Sequence, residues 1–566
     1  MKDTVRKFVL KNALDFKGSV NPKAILGLIL RSSPEFKKDF QKLNKEIESC
    51  IADIKDKDLK DIKKELEKLD PNLLKEKKKE VPKGPLKPLR NAEKGKVVVR
   101  IAPSPSGALH IGHAYGSSLN ALYAQMYNGK FILRIEDTNP ENIYSGAYKL
   151  IEEDAQWLTN NNVSQVIIQS ERLETYYKHA KTLVDKENAY VCTCDADTWR
   201  EMKNNGEACA CRSLPIKEQQ DRYQKMFKGF AEGEAVLRLK TDIKHKNPAM
   251  RDFGLMRIND HLHPKTKKAS RVWPLMVLSV AIDDHELGVT HVLNGKDHAD
   301  NAKKETMIME LLGWKAPEYQ HWGRINFEGF TLSTSKTRIA IEQNEYTGWD
   351  DVRLPFLPAL RKRGYQSGAF QKFSSEIGLS LTDKTVSVEE FWKMINAFNK
   401  DIIEPTSNRY FFVEAPVKVT IKNAPEKEVK IDLHQEDKKR GARTLQGKGK
   451  ILIQKKDRKD LVEKRTHRLM DYCNFEVKGE GETFSSQDYE DYKNAENKGK
   501  IIHWLPDSND LINVEIIMGD NSRLQGKGES GLKNVKEGDI VQFERFAFAR
   551  LDKKEKNKLV FWYLHK

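Results

Sequence analysis

Two histidines three residues apart, His110 and His113, follow the run Pro103-Ser104-Pro105-Ser106-Gly107-Ala108-Leu109, which itself follows the β-branched stretch Val97-Val98-Val99-Arg100-Ile101. On a helix, positions three apart share a face, so both imidazoles can donate to one anion. Strand, tight turn and helix N-terminus together make a phosphate site, because the first helical N–H groups are unpaired and the dipole end is positive. Gly107 and Gly112 let the backbone approach a ligand with no Cβ in the way. Such a site favours in-line displacement at phosphorus, with developing charge met by hydrogen bonds. The pattern is neither the Gly-Lys-Ser/Thr phosphate loop nor a Gly-x-Gly-x-x-Gly dinucleotide turn. Spacing alone fits a structural helix start equally well.

A second chemistry lies in the cysteines. Four of the six fall in Cys192-Thr193-Cys194 and Cys209-Ala210-Cys211, while Cys50 and Cys473 stand alone. The fourteen residues between the arms allow a loop that presents four thiolates tetrahedrally to zinc. Reduced thiols in a turn are the alternative, and a disulfide is disfavoured in a reducing compartment.

The whole run from Arg100 to His113 resembles the HIGH signature of class I aminoacyl-tRNA synthetases, and its Arg-x-Ala-Pro-Ser-Pro-Ser-Gly-x-Leu form resembles the glutamyl/glutaminyl branch. Leu133-Arg134-Ile135-Glu136-Asp137-Thr138-Asn139-Pro140 and Gly288-Val289-Thr290-His291-Val292-Leu293-Asn294-Gly295-Lys296-Asp297-His298 resemble later segments of that branch, in order. Leu332-Ser333-Thr334-Ser335-Lys336 resembles the lysine loop in the form found in archaeal glutamyl-tRNA synthetases. Similar cysteine clusters occur at this place in that family, which favours structural zinc.

The resemblance implies a two-step reaction: the amino-acid carboxylate attacks the α-phosphorus of ATP, and the tRNA 3′ ribose then takes the acyl group. Neither step needs a nucleophilic side chain, so positioning and charge neutralisation carry it. By carry-over, His110, His113 and Lys336 are the catalytic candidates. Pro103, Gly107, His110, Gly112, His113, Ser333, Ser335 and Lys336 would hold ATP, with Mg²⁺ on the leaving pyrophosphate. Arg100 and Glu136 would take the amino-acid carboxylate and ammonium, and Cys192, Cys194, Cys209 and Cys211 the zinc. Some positions depart from the family. In register with Lys-Met-Ser-Lys-Ser the second lysine falls on Thr334, Trp273-Pro274-Leu275-Met276-Val277 stands where relatives carry a Tyr and a polar residue, and Asn294 stands where Arg is common. Losing that arginine removes a bidentate cation for a side-chain carboxylate. Arg257, Arg271 or Lys296 would then have to read glutamate, or discrimination changes.

These residues need elements to hold them. Strand-like runs at Val97–Ile101, Phe131–Ile135 and Val166–Gln169 alternate with helical stretches at Ile111–Tyr127, Ala147–Leu158 and Leu173–Lys186, which predicts βαβ units and a parallel sheet with ligands beyond its carboxyl ends. The reading is multidomain α/β. Residues 1–95 form an N-terminal helical appendage and a Lys-rich linker (Leu74 to Leu89), and residues 96–345 a Rossmann-like catalytic core. By resemblance, about 190–283 of that core is an inserted part gripping the tRNA acceptor end, after which Val289–Leu293 resumes the sheet. Residues 346–405 are a helical part that, by the resemblance of Leu360-Arg361-Lys362-Arg363-Gly364-Tyr365 to the same branch, would contact the inner tRNA helix. Short alternating strands over 406–566 predict one or two β-barrels for the anticodon arm.

The 566-residue chain carries a formal charge of +16, which suits a polyanionic partner, although a solvated lysine-rich surface gives the same count. No run of eighteen apolar residues and no leader pattern occur, so a soluble cytoplasmic protein without a membrane partner is expected. The expected partners are ATP, L-glutamate and tRNA-Glu, with tRNA-Gln open as a second acceptor. For the N-terminal appendage, a basic arm on tRNA and a docking face for a protein remain open. A glutaminyl enzyme, and a diverged relative that binds tRNA without ligation, are the competing readings.

Overall fold

Apolar residues recurring every three or four positions among Lys and Glu build, among the described residues, four α-helices at the start of the chain: α1 (Lys2–Asp15), α2 (Pro22–Ser32), α3 (Phe40–Ile54) and α4 (Leu59–Leu69). Their inward faces, including Val5, Val9, Leu10, Ile25, Ile29, Leu43, Ile47, Ile62 and Leu66, form a core of their own. Leu59 and Leu69, at the ends of the α4 repeat, stay exposed. The structure, a computed structural model, describes residues 2–15, 20–33, 36, 39–54, 57–70, 86–266, 270–479 and 481–566. Two units result, Met1–Pro85 and Leu86–Lys566. Most of the linker expected over Leu74 to Leu89 lies outside the described residues.

The second unit starts with β1 (Val98–Ile101), α5 (Ile111–Met126), β2 (Lys130–Ile135), α6 (Ala147–Leu158), β3 (Gln165–Ile168) and α7 (Leu173–Asp185). β1 pairs with β2, and β2 with β3, all parallel. The chain then departs into an antiparallel sheet of β4 (Ala189–Cys192), β5 (Val236–Leu239), β6 (Gly254–Ile258) and β7 (Val272–Pro274), with α8 (Ala196–Asn205) and α9 (Ile216–Lys228) between β4 and β5. α10 (Met276–Glu286) brings it back to β8 (His291–Gly295), α11 (Ala299–Leu312) and β9 (Glu318–Trp322), which is parallel to β8. Thr290 joins the halves: its N–H donates to the Val98 carbonyl at 3.0 Å, and its Oγ1 accepts from the Val98 N–H at 2.9 Å. The order β3-β2-β1-β8-β9 therefore reverses direction between β1 and β8, the place where open parallel sheets bind ligands. The strand expected at Val289–Leu293 begins two residues later, because Val289 and Thr290 are taken up by bonds to Asp284 and Val98.

Beyond the sheet come β10 (Ile325–Glu328), α12 (Thr334–Glu342), α13 (Leu357–Arg363), α14 (Ser367–Ile377), β11 (Lys384–Ser387) and α15 (Val388–Ile403). Among the described residues, the remaining strands form a two-stranded ribbon, Lys427–Asp432 with Ala442–Gly447, and two seven-stranded sheets. In one, the edges are Asn408–Tyr410 and Phe412–Glu414, consecutive in the chain with Phe411 between them; in the other, they are Lys498–Ile502 and Leu505–Pro506, with His503 and Trp504 between. A strand that bends to serve both edges closes its sheet into a barrel, which removes the open edge. Phe411, His503 and Trp504 are buried at these corners, and His503 Nε2 lies 2.7 Å from the Phe412 carbonyl. The barrel built from 416–506 is inserted within the one built from 408–414 and 512–565. Among the described residues, no helix is long and apolar enough to cross a membrane.

Candidate active site

At the carboxyl ends of β1, β2 and β8 opens a cavity of ≈ 420 Å³. The turn from Ala102 to Gly112 forms one wall and is tied to the sheet by the Glu136 N–H, which donates to the Pro103 carbonyl at 3.0 Å. His110 is the N-cap of α5: its Nδ1 accepts from the Gly112 N–H at 3.1 Å, while His113 Nδ1 accepts from the His110 N–H at 3.2 Å. This is a capping box made of imidazoles. An Nδ1 that accepts carries no proton, so each neutral ring bears its proton on Nε2 and presents that N–H as a donor. Desolvation pushes His110 down to about 2, with His113 adding to the effect, and pushes His113 down to about 4. The rings lie 3.8 Å apart, and both line the cavity.

Glycine is needed here for space. A Cβ on Gly107 would run into the Trp349 ring and the Thr334 methyl, and one on Gly112 would meet the His110 ring. Trp349, about 240 residues away in sequence, thus closes the turn from outside, a role no local pattern announces.

Arg100 and Glu136 both line the cavity. Beneath them is a buried ion cluster. Arg100 Nε and Nη2 donate to the two Asp284 oxygens at 3.1 and 2.9 Å, and Arg134, fully buried, bridges Asp284 at 2.5 Å and Glu136 at 3.0 Å. Burial disfavours charge on Asp284, yet Arg100 and Arg134 hold its carboxyl below the ordinary range. Neither Arg134 nor Asp284 is among the site candidates that the sequence motifs supply. The former was within reach, since residues two apart on a strand point the same way and Arg134 precedes Glu136 by two. Glu305 also lines the cavity; burial raises it to about 7 against Arg100, and Tyr319 donates to it at 3.1 Å.

Other expected residues stand elsewhere. Thr334 lines the cavity, whereas Ser333, Ser335 and Lys336 do not. Ser333 instead caps α12 by accepting from the Lys336 N–H at 3.4 Å, and Ser335 and Lys336 are exposed. Arg257, Arg271 and Lys296 do not line it either: they bond to Asn139, Asp260 and Asp383. Met276 and Asn294 do line it, and Asn294 Oδ1 sits 2.6 Å from His321 Nδ1.

The four cysteines meet at the end of β4 and the short 3-10 turn Ala210–Ser213. All four Sγ atoms lie within 4.8 Å of one another, with Cys192–Cys209 and Cys194–Cys211 at 3.9 Å. A tetrahedron of sulfurs around zinc at ~2.3 Å has edges of about 3.8 Å, so the donor set fits that ion. Arg222 donates to Cys211 Sγ at 3.6 Å and Arg238 stacks on Trp199 beside the cluster, cations that favour thiolates.

Comparison with known proteins gives these features a family. Residues 96–405 match the class I (E and Q) tRNA synthetase catalytic domain, and 407–489 and 501–552 match the anticodon-binding domains of the same class. Glutamate–tRNA ligases of Methanococcus maripaludis and Pyrococcus furiosus are each 42% identical to this chain, the first over 100% of both chains and the second over 99%. A crystal structure of the glutamate-tRNA synthetase from Elizabethkingia anophelis aligns with 55% of this chain and 72% of its own, at 22% identity and a TM-score of 0.40. The capped start of α5, the reversal in the parallel sheet and the paired barrels all fall within these matches, and the chain belongs to the class I tRNA synthetases of the glutamate and glutamine group.

Proposed function

We infer that the protein is a glutamate–tRNA ligase, which activates L-glutamate with ATP and transfers it to the 3′ end of tRNA-Glu. The observation that carries this reading is end-to-end likeness to glutamate–tRNA ligases, with no segment of either chain left over in the Methanococcus comparison. The cavity supports it. Nε2–H donors of His110 and His113, together with the α5 N-terminus, suit the phosphates of ATP and the charge that builds on them in the transition state. Arg100 keeps Nη1 for the amino-acid carboxylate, its other nitrogens being held by Asp284, and Glu136 keeps Oε2 for the ammonium. Asn294, with Oδ1 held by His321, offers amide donors to the side-chain carboxylate. Mg²⁺ bound with ATP supplies further charge to the pyrophosphate as it leaves. Lys336, on the exposed first turn of α12, serves the phosphates only after that turn moves inward. Zinc on Cys192, Cys194, Cys209 and Cys211 is structural: four thiolates leave no open position for substrate.

The test is charging of tRNA with labelled glutamate and, separately, labelled glutamine, beside a His113→Ala control. Glutamate attached to tRNA by the wild type and lost in the control is the expected result. Attachment of glutamine instead, or tRNA binding with no charging, would overturn the reading. Separate tRNA-Glu and tRNA-Gln transcripts show how many acceptors are used.

A further inference from the structure

Asp154 lies in α6 with no solvent exposure, among the buried apolar residues Ile151, Ala155 and Leu158. A carboxyl in such company needs partners. One oxygen has a specific one: Oδ2 accepts from the Leu109 N–H at 3.2 Å, one residue before His110. The other, Oδ1, is buried without a hydrogen bond, and the nearest cation is Arg361 of α13 at 4.0 Å. The same turn is held from the opposite side, where the Leu357 N–H donates to the Leu109 carbonyl at 2.8 Å and the Ile111 N–H to the Pro355 carbonyl at 3.2 Å.

Stability alone does not call for a carboxyl here. Buried ionic groups replaced by apolar side chains of similar volume often cost no stability, and Arg361, left behind, still donates to Glu153 at 3.3 Å. At this position, however, the exchange strands the Leu109 N–H, and its pull on the turn goes with it. That turn sets the direction of both imidazoles, because the His110 N–H that His113 accepts from is the next amide along. We propose that Asp154 is a positioning residue for the phosphate site, fixing the backbone from which His110 and His113 aim their Nε2–H groups. Asp154 touches neither substrate nor reacting atoms, and it acts through Leu109. The proposal rests on the ligase reading only in naming ATP as the anion.

Full-length Asp154→Leu and Asp154→Asn are compared with wild type for binding of a non-hydrolysable ATP analogue by calorimetry, and for charging with ATP and glutamate varied in turn. Asp154→Leu is expected to weaken the analogue at least tenfold and to raise KM for ATP or lower kcat, with KM for glutamate within twofold. Asn, whose Oδ1 can accept the same N–H, is expected to recover most of the affinity. Wild-type analogue affinity in Asp154→Leu would overturn the proposal, as would equal losses in both variants or a parallel rise in KM for glutamate. If Asp154→Leu does not fold, Asp154→Ser, too short to reach Leu109, carries the same expectations. Analogue binding by the wild type without glutamate charging would sink the ligase reading and leave the Asp154 comparison readable.

Discussion

Each site histidine uses Nδ1 on a backbone amide, and that leaves one donor per ring aimed at the cavity. His113→Ala removes one such donor, and the loss in kcat is expected to be on the order of 10²–10³, the usual cost of deleting a transition-state hydrogen bond. Steady-state charging measures it. The two rings also carry a pH signature. Burial holds them at about 2 and about 4 in the fold, while an unfolded histidine titrates near 6.5. Between pH 6.5 and 4 the unfolded state therefore binds more protons, so stability falls as the pH falls through that window and is unaffected by these groups above it. Denaturant melts from pH 7 to pH 4.5 should show a shallower decline in His110→Asn/His113→Gln than in wild type. Asn294→Leu tests the other end of the cavity: loss of the amide should raise KM for glutamate on the order of tenfold and leave KM for ATP within twofold, a single good hydrogen bond to charge being worth about 1.5–3 kcal/mol.

At the scale of elements, sequence pattern and structure agree wherever periodicity decides the outcome. Ala147–Leu158 is a helix with the expected bounds, and the strands around 98–101, 131–135 and 165–168 fall within a residue or so of expectation. Reach was harder. Lys336 sits exposed on the first turn of α12, which Ser333 caps, and its place in the lysine loop implies that loop flexibility brings it to the phosphates. Trp349, Asp284 and Asp154 meet the site only through tertiary contacts, for which a linear pattern holds no signal. The cysteine arms, by contrast, meet as their spacing allows, while the preference for zinc over reduced thiols comes from the family resemblance. Zinc on them would tie β4 to the Ala210–Ser213 turn. One zinc per chain is expected by elemental analysis, and Cys209→Ser should lose it and open residues 190–260 to protease before the rest of the chain.

At the scale of the molecule, the charge of +16 predicts that tRNA affinity falls steeply with salt. A log–log slope near zero would contradict an electrostatic footprint on the phosphate backbone. The helical unit Met1–Pro85 has its own core, so calorimetry should resolve its unfolding as a separate transition that persists in a fragment ending at Pro85. The nesting of the two barrels leaves no trace in the sequence pattern, which marks strands and turns but not which strands pair. One consequence concerns synthesis. The strand Lys558–His565 is not at an edge of its sheet: it lies between Ala547–Glu555 and Ile512–Ile517 and pairs with both. A nascent or prematurely stopped chain lacking it exposes two facing rows of unpaired backbone groups in the middle of an otherwise formed sheet, so the product of an interrupted message is an aggregating species rather than a partly active one.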